Sequence, residues 1–185
     1  MRKIISVIIV FFCWNYSAQA VQNCNTAIKN STPTSQFKNN NDGTVTDIVT
    51  NLTWKRCPEG FSFDNGNTPT DITDDNCIES GMLLYSWKDA MLGAITLNVS
   101  GFGGKYNWRL PNIKELNSIV EVQCANPSIN NTVFPSTNPC CWWWTSSPNL
   151  NDGSSAWVVD FGIGYGANDV LKTTLNYVRL VSDNF

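Results

Sequence analysis

The chain has 185 residues, twelve basic against fifteen acidic side chains, a net charge of −3 and no histidine. Nucleic-acid binding depends on clustered Lys and Arg; beyond the first three residues the basic positions are scattered singly, apart from Lys55-Arg56, which excludes that partner. Without histidine the usual base for a Ser, Cys or Thr nucleophile is missing, and sequence alone brings no two of the fifteen acids together as a catalytic pair, so the chain reads as a non-enzyme with no cofactor or metal.

Residues 1 to 20 follow the order of an export signal: basic Arg2 and Lys3, the apolar run "IISVIIVFFCW", then "SAQA" ending at Ala20. Cleavage there predicts a mature chain of residues 21–185, a single domain with ten basic and fifteen acidic residues. Cys13 follows Phe12 rather than a small residue, which argues against lipid attachment, and no later stretch approaches membrane-spanning length. The expected destination is the periplasm, the cell surface or the medium. Six cysteines then remain, Cys24, Cys57, Cys77, Cys124, Cys140 and Cys141, an even number suited to disulfides in an oxidising compartment.

In chain order, "NNNDGTVTDIVTNLTWKR" predicts a hairpin pair, with Asp42-Gly43 turning into alternating residues Thr44 to Asp47 and a second turn near Thr50-Asn51 before a strand from Leu52 to Arg56. Asn41-Asp42-Gly43 lacks the spaced ligands of a calcium loop and reads as a turn. The polar stretch from Gly60 to Gly81 reads as a surface loop bridged by Cys57 and Cys77, a closure that stabilises by roughly 3 kcal/mol on the chain-entropy account. Ser86 then caps a helix whose Trp87, Ala90, Met91 and Ala94 form one buried face.

A second helix start lies in "NWRLPNIKELNSIV": Asn112 caps, Glu115 completes a capping box, and Leu116, Ile119 and Val120 form an apolar stripe. The last third carries "CWWWTSS", "AWVVDFG" and "NYVRLV", aromatic and β-branched strands between Asn, Asp, Gly and Ser loops. Period-two alternation sets Trp142 and Trp144 against Trp143, and Trp157, Val159 and Phe161 against Val158 and Asp160, with one face expected in the core and the other outside.

These blocks in this order, "FKNNNDGTVTDIVTNLTWKRC", "SWKDAM", "YNWRLPNIKELNSIVEVQC", "NPSINNTVFPSTNP", "WWWTSSP", "AWVVDFG" and "YVRLV", resemble the bacterial domain named after the C-terminal domain of the Legionella collagen-like adhesin, over nearly all of residues 24 to 181. The resemblance implies an α+β, C-type-lectin-like fold of short antiparallel strands and two core helices, related to formylglycine-generating enzymes. It makes Trp108, Arg109, Leu110, Pro111, Asn112 and Glu115 architecture, with Arg109 paired to a carboxylate; the alternative is Arg109 as a clamp for an anionic ligand. Relatives often carry Asp where this chain has Asn107, and collagen repeats, calcium-lectin signatures and the separated copper-binding cysteines of those enzymes are absent.

The function implied is an exported recognition or adhesion module that binds an extracellular glycan or protein through C-terminal loops; the alternative is an oxidase-like enzyme of the formylglycine-generating superfamily. The expected ligand-binding residues are Trp143 and Tyr165, which offer flat rings, and Asp160, Asn168, Asp169 and Asn176, which offer short polar side chains. The expected disulfides are Cys57 with Cys77, Cys24 with Cys124, and Cys140 with Cys141, with reduced thiols or other pairings for the last two as alternatives.

Overall fold

The computed structural model describes residues 21–66 and 71–184, so the export signal expected over residues 1 to 20 lies outside the described residues. Asp42-Gly43 and Thr50-Asn51 turn the chain where the local chemistry dictates. Strands β2 (Phe37–Asn39), β3 (Thr44–Asp47) and β4 (Leu52–Lys55) follow one another as antiparallel neighbours, β1 being Asn23–Cys24. Gly43 adopts φ +82°, and a Cβ there would meet the rings of Phe63 and Phe102 at 3.0 Å, so only glycine fits this turn. The buried Asp47 carboxylate accepts from the amide of Val49 and the hydroxyl of Thr50, closing the second turn.

The stretch after Cys57 is more ordered than a polar loop. Its two ends form a hairpin of β5 (Phe61–Asp64) and β6 (Asn76–Glu79), because Phe61 and Phe63 alternate with Ser62 and the Cys57–Cys77 bridge holds the second strand to the start of the first. Arg56 anchors the same region from beneath: it is fully buried, pairs with Asp75 and donates to the carbonyls of Val133 and Thr132 at 3.0 and 2.9 Å. A second disulfide joins Cys24 to Cys124.

Helix α1 (Trp87–Ser100) starts on Ser86, whose hydroxyl accepts from the amide of Asp89. Its buried residues are Ala90 and Ala94, small enough for close approach to β7 (Trp108–Arg109). Met91 does not join them: it is 37% exposed, because the inward face is centred on Ala90, Ala94 and Leu97 and Met91 turns away from it. Helix α2 (Ile113–Asn117) has the full capping box, with Asn112 accepting from the amides of Lys114 and Glu115 while Glu115 accepts from the amide of Asn112 at 2.7 Å. It ends at Asn117, yet Ile119 and Val120 beyond it are still buried.

The short strand β8 (Cys124–Ala125) pairs with β1, and three longer strands follow, β9 (Trp142–Pro148), β10 (Ser155–Asp160) and β11 (Tyr165–Leu171), ordered β11-β10-β9. The final strand β12 (Val181–Asp183) inserts between β4 and β7, completing a five-stranded sheet ordered β2-β3-β4-β12-β7. The architecture is α+β, mostly antiparallel, with two helices and two disulfides.

The three-stranded sheet is covered on both sides, which overturns the expectation of one core face and one outward face. Trp143, Val159 and Phe161 pack with Trp54, Leu116 and Phe134 in one apolar cluster, and Trp144, Ala156 and Val158 pack with Ala90, Trp108 and Leu180 in another. Alternation correctly separates the two sets; both are needed because helix α1 covers one side and the five-stranded sheet with α2 contributes to the other.

Candidate recognition site

At one end of the three-stranded sheet, Asp160 lies directly between Trp142 on β9 and Tyr165 on β11 in the strand register. In-register neighbours project from the same face, so the two rings meet edge to face over the middle strand, with centroids 5.5 Å apart. Tyr165 is 44% exposed while Trp142 is half-buried against the core beneath, so the tyrosine ring is displayed and the tryptophan braces it. Asp160 is half-buried, and one of its oxygens accepts from the amide of Gly162 at 2.6 Å, which orients the carboxyl and turns the chain towards β11.

Further along β11, Asn168 and Asp169 together stand opposite the single residue Trp157, because the register shifts between Ala156 and Val158. Such a bulge re-aims side chains; Asp169 is exposed and Asn168 half-buried. Tyr165, Asp160, Asn168 and Asp169 therefore share one strand pair.

Two of the expected ligand contacts do not belong to this surface. Trp143 is fully buried: its ring stacks on Tyr177 at 5.1 Å, meets Phe161 at 5.5 Å, and its indole N–H donates to the carbonyl of Asn138. Asn176 is 4% exposed and exchanges backbone hydrogen bonds with Tyr85 at 2.9 and 3.0 Å, making it a strut between segments. Both are buried by partners far away in the chain, Trp143 among Phe134, Phe161 and Tyr177 and Asn176 by its pairing with Tyr85, which a strand pattern does not reveal.

Cys140 and Cys141 lie next to this end of the sheet with both thiols free, their sulfurs 2.8 Å apart, instead of forming the third bridge. Burial, and then the hydrogen bond with Cys140, push the Cys141 thiol up to about 12. The Tyr177 hydroxyl, bonded by the amide of Asn138, is likewise raised, chiefly by burial.

Arg109 is fully engaged by protein carboxylates. Its guanidinium donates twice to Glu115, both at 2.8 Å, and twice to Asp183, at 2.7 and 3.1 Å. These bonds to Glu115 and then Asp183 raise its pKa, and they lower that of Asp183. With the capping carboxylate of α2 and the end of β12 both gripped, four of the five guanidinium N–H groups are committed to protein carboxylates, which favours the architectural role over an anion clamp. Trp108 and Leu110 are buried on either side, Pro111 is buried, and Asn112 caps α2.

Sequence reasoning missed Trp142, although the alternation that separated it from Trp143 held the signal. It also missed an open cleft of about 550 Å³ elsewhere, lined by Phe61, Phe63 and Phe102 with Asn41, Asp42 and Asn65; the spacing of Phe61 and Phe63 was the available clue. Among the described residues no three His, Cys, Asp or Glu side chains are grouped to hold a metal ion, and no helix is long and apolar enough to cross a membrane.

No curated protein matches the chain. The pattern of the Lcl C-terminal domain matches residues 43–182, from the first turn glycine at Gly43 to Ser182 in the strand that completes the five-stranded sheet. That span takes in both helices, Arg109 with its partner Glu115, and the aromatic end of the three-stranded sheet, and the chain belongs to the Lcl C-terminal domain family.

Proposed function

We propose that this protein is an exported, non-enzymatic recognition module built on a C-type-lectin-like scaffold, and that the Trp142, Asp160 and Tyr165 end of its three-stranded sheet holds an extracellular glycan or protein ligand. The observation that carries this reading is the displayed Tyr165 ring, braced edge to face by Trp142, with Asp160 on the strand between them. A fixed ring stacks on the C–H face of a sugar or fills a partner's apolar pocket at little entropic cost, and a neighbouring carboxylate accepts from hydroxyl or amide donors. Membership in a family named after an adhesin domain, together with the two disulfides, supports an adhesive role outside the cytoplasm.

The experiment is a glycan and extracellular-matrix array probed with the mature protein, with and without calcium. Retention of one ligand class that Tyr165→Ala abolishes, while thermal stability stays nearly unchanged, supports the assignment. Binding that survives Tyr165→Ala, Asp160→Asn and Asp169→Asn moves the site elsewhere.

A second reading, an oxidase-like enzyme, draws only on the free thiol pair. Stoichiometric Cu(I) uptake lost in Cys140→Ser and Cys141→Ser would favour it over recognition.

A further inference from the structure

Helix α1 is apolar on two sides, and the fold uses only one. Ala90, Ala94 and Leu97 face β7 and the second apolar cluster, whereas Leu92, Ile95 and Val99 are 47%, 62% and 84% exposed. Lys88, Leu92, Ile95 and Val99 follow one another at spacings of four, three and four, the spacing that keeps a single seam straight along a helix and fits it to another helix. Met91 flanks the seam. An isolated exposed leucine needs no explanation, but four apolar side chains adjoining one another along three turns do.

We propose that α1 is the contact of a two-fold homodimer, packed antiparallel against α1 of a second copy. Two features select this occupant. From the exposures, the four side chains present on the order of 400 Å² of apolar surface, against about 800 Å² per partner for a standard interface of which somewhat over half is apolar; the seam therefore supplies most of the apolar centre of such an interface. The charges are also self-complementary. Lys88 sits in the first turn of α1, where a cation opposes the helix dipole, and the last turn has no basic residue to cover its free carbonyls.

Antiparallel pairing resolves both at once. With the two-fold axis between Leu92 and Ile95, each Leu92 meets Ile95 of the partner subunit, and each Lys88 lies beside Val99 of the partner subunit, over the carbonyl end that lacks a cation. Parallel pairing would instead set the two Lys88 side chains against each other at the wrong helix end. The seam is made of Lys88, Leu92, Ile95 and Val99 and shares no residue with the Tyr165 surface, so the proposal does not rest on what that surface binds.

The test is sedimentation of the mature full-length protein across a wide concentration range, beside Leu92→Glu with Ile95→Glu and, separately, Lys88→Glu. The wild type is expected to pass from monomer to twice the chain mass. The double variant should weaken association by about a hundredfold, the loss expected of two central contacts, while its far-UV circular dichroism stays that of the folded wild type. Lys88→Glu should weaken it by about tenfold, since a carboxylate then faces the partner's carbonyls. A wild type that stays monomeric at every concentration overturns the proposal, whether or not the face then binds lipid vesicles. A dimer indifferent to Leu92→Glu with Ile95→Glu also overturns it, and one strengthened or unchanged by Lys88→Glu overturns the antiparallel geometry.

Discussion

Replacing Trp143 with alanine separates the two roles that an aromatic in the last third could have. Its side chain is fully buried, stacked on Tyr177, edge-on to Phe161, and hydrogen-bonded to Asn138. It also forms one wall around Arg179, whose guanidinium lies over the rings of Phe134 and Trp143 at 5.0 and 5.4 Å and donates to the backbone of Lys55 and Arg56 and to the Thr137 hydroxyl. Among the described residues no carboxylate bonds to Arg179, and burial, reinforced by Arg56, pulls its pKa down to about 9. Trp→Ala in a core costs about 3–5 kcal/mol, and removing one face of a desolvated cation–π contact adds up to about 2 kcal/mol, so the expected loss is about 5 kcal/mol. That approaches the whole stability of a marginal domain, commonly about 5–15 kcal/mol. Trp143→Phe keeps a ring and should cost only about 1–3 kcal/mol. Chemical denaturation of both variants, followed by tyrosine and residual tryptophan fluorescence, measures the series. A Trp143→Ala protein within about 1 kcal/mol of wild type would refute the burial argument and return Trp143 to the list of candidate surface residues.

Arg109→Ala should lower stability by about 1–2 kcal/mol at neutral pH, discounted because about a third of the side chain meets solvent, and denaturation against pH checks the linkage. The hydrogen bond from Arg109 depresses the Asp183 pKa, so its contribution is present above the ordinary carboxylate range and lost as pH falls through the folded value; the gap between wild type and variant must close in acid. An acid-independent gap refutes this. A thiol reagent near pH 8 should modify exposed Cys140 well before Cys141, read by mass spectrometry of the digested chain; equal rates would contradict the burial that raises Cys141. With its folded pKa above the unfolded one, Cys141 contributes stability that is full below the ordinary thiol range and declines as pH climbs towards about 12.

What the sequence made legible was what local chemistry decides. The capping box at Asn112 and Glu115 and the turn at Asp42-Gly43 depend on residues within three positions of one another, and the structure forms both. Alternation likewise sorted Trp142 and Trp144 from Trp143. It could not say which set meets solvent, since that depends on α1 arriving from one side and residues far along the chain from the other. The candidate site follows the same rule: Tyr165, Asp160, Asn168 and Asp169 fall on one strand pair, whereas the burial of Trp143 by Phe161 and Tyr177 and of Asn176 by Tyr85 is non-local and leaves no local signal. Met91 failed for a related reason, as a helix apolar on two sides does not announce which side its own domain will cover.

The position of β12 carries a consequence for how the chain comes into being. It is the last strand of the domain, yet it occupies an interior place in the five-stranded sheet, between β4 and β7, and Asp183 at its end completes the clamp on Arg109. A ribosome-bound or partly translocated chain that has not yet delivered Val181–Asp183 leaves β4 and β7 without the strand that joins them, however long the earlier residues wait. The domain therefore cannot close until its last-made strand arrives, and nascent chains stalled before residue 181 should remain protease-sensitive, becoming resistant only when the final strand emerges.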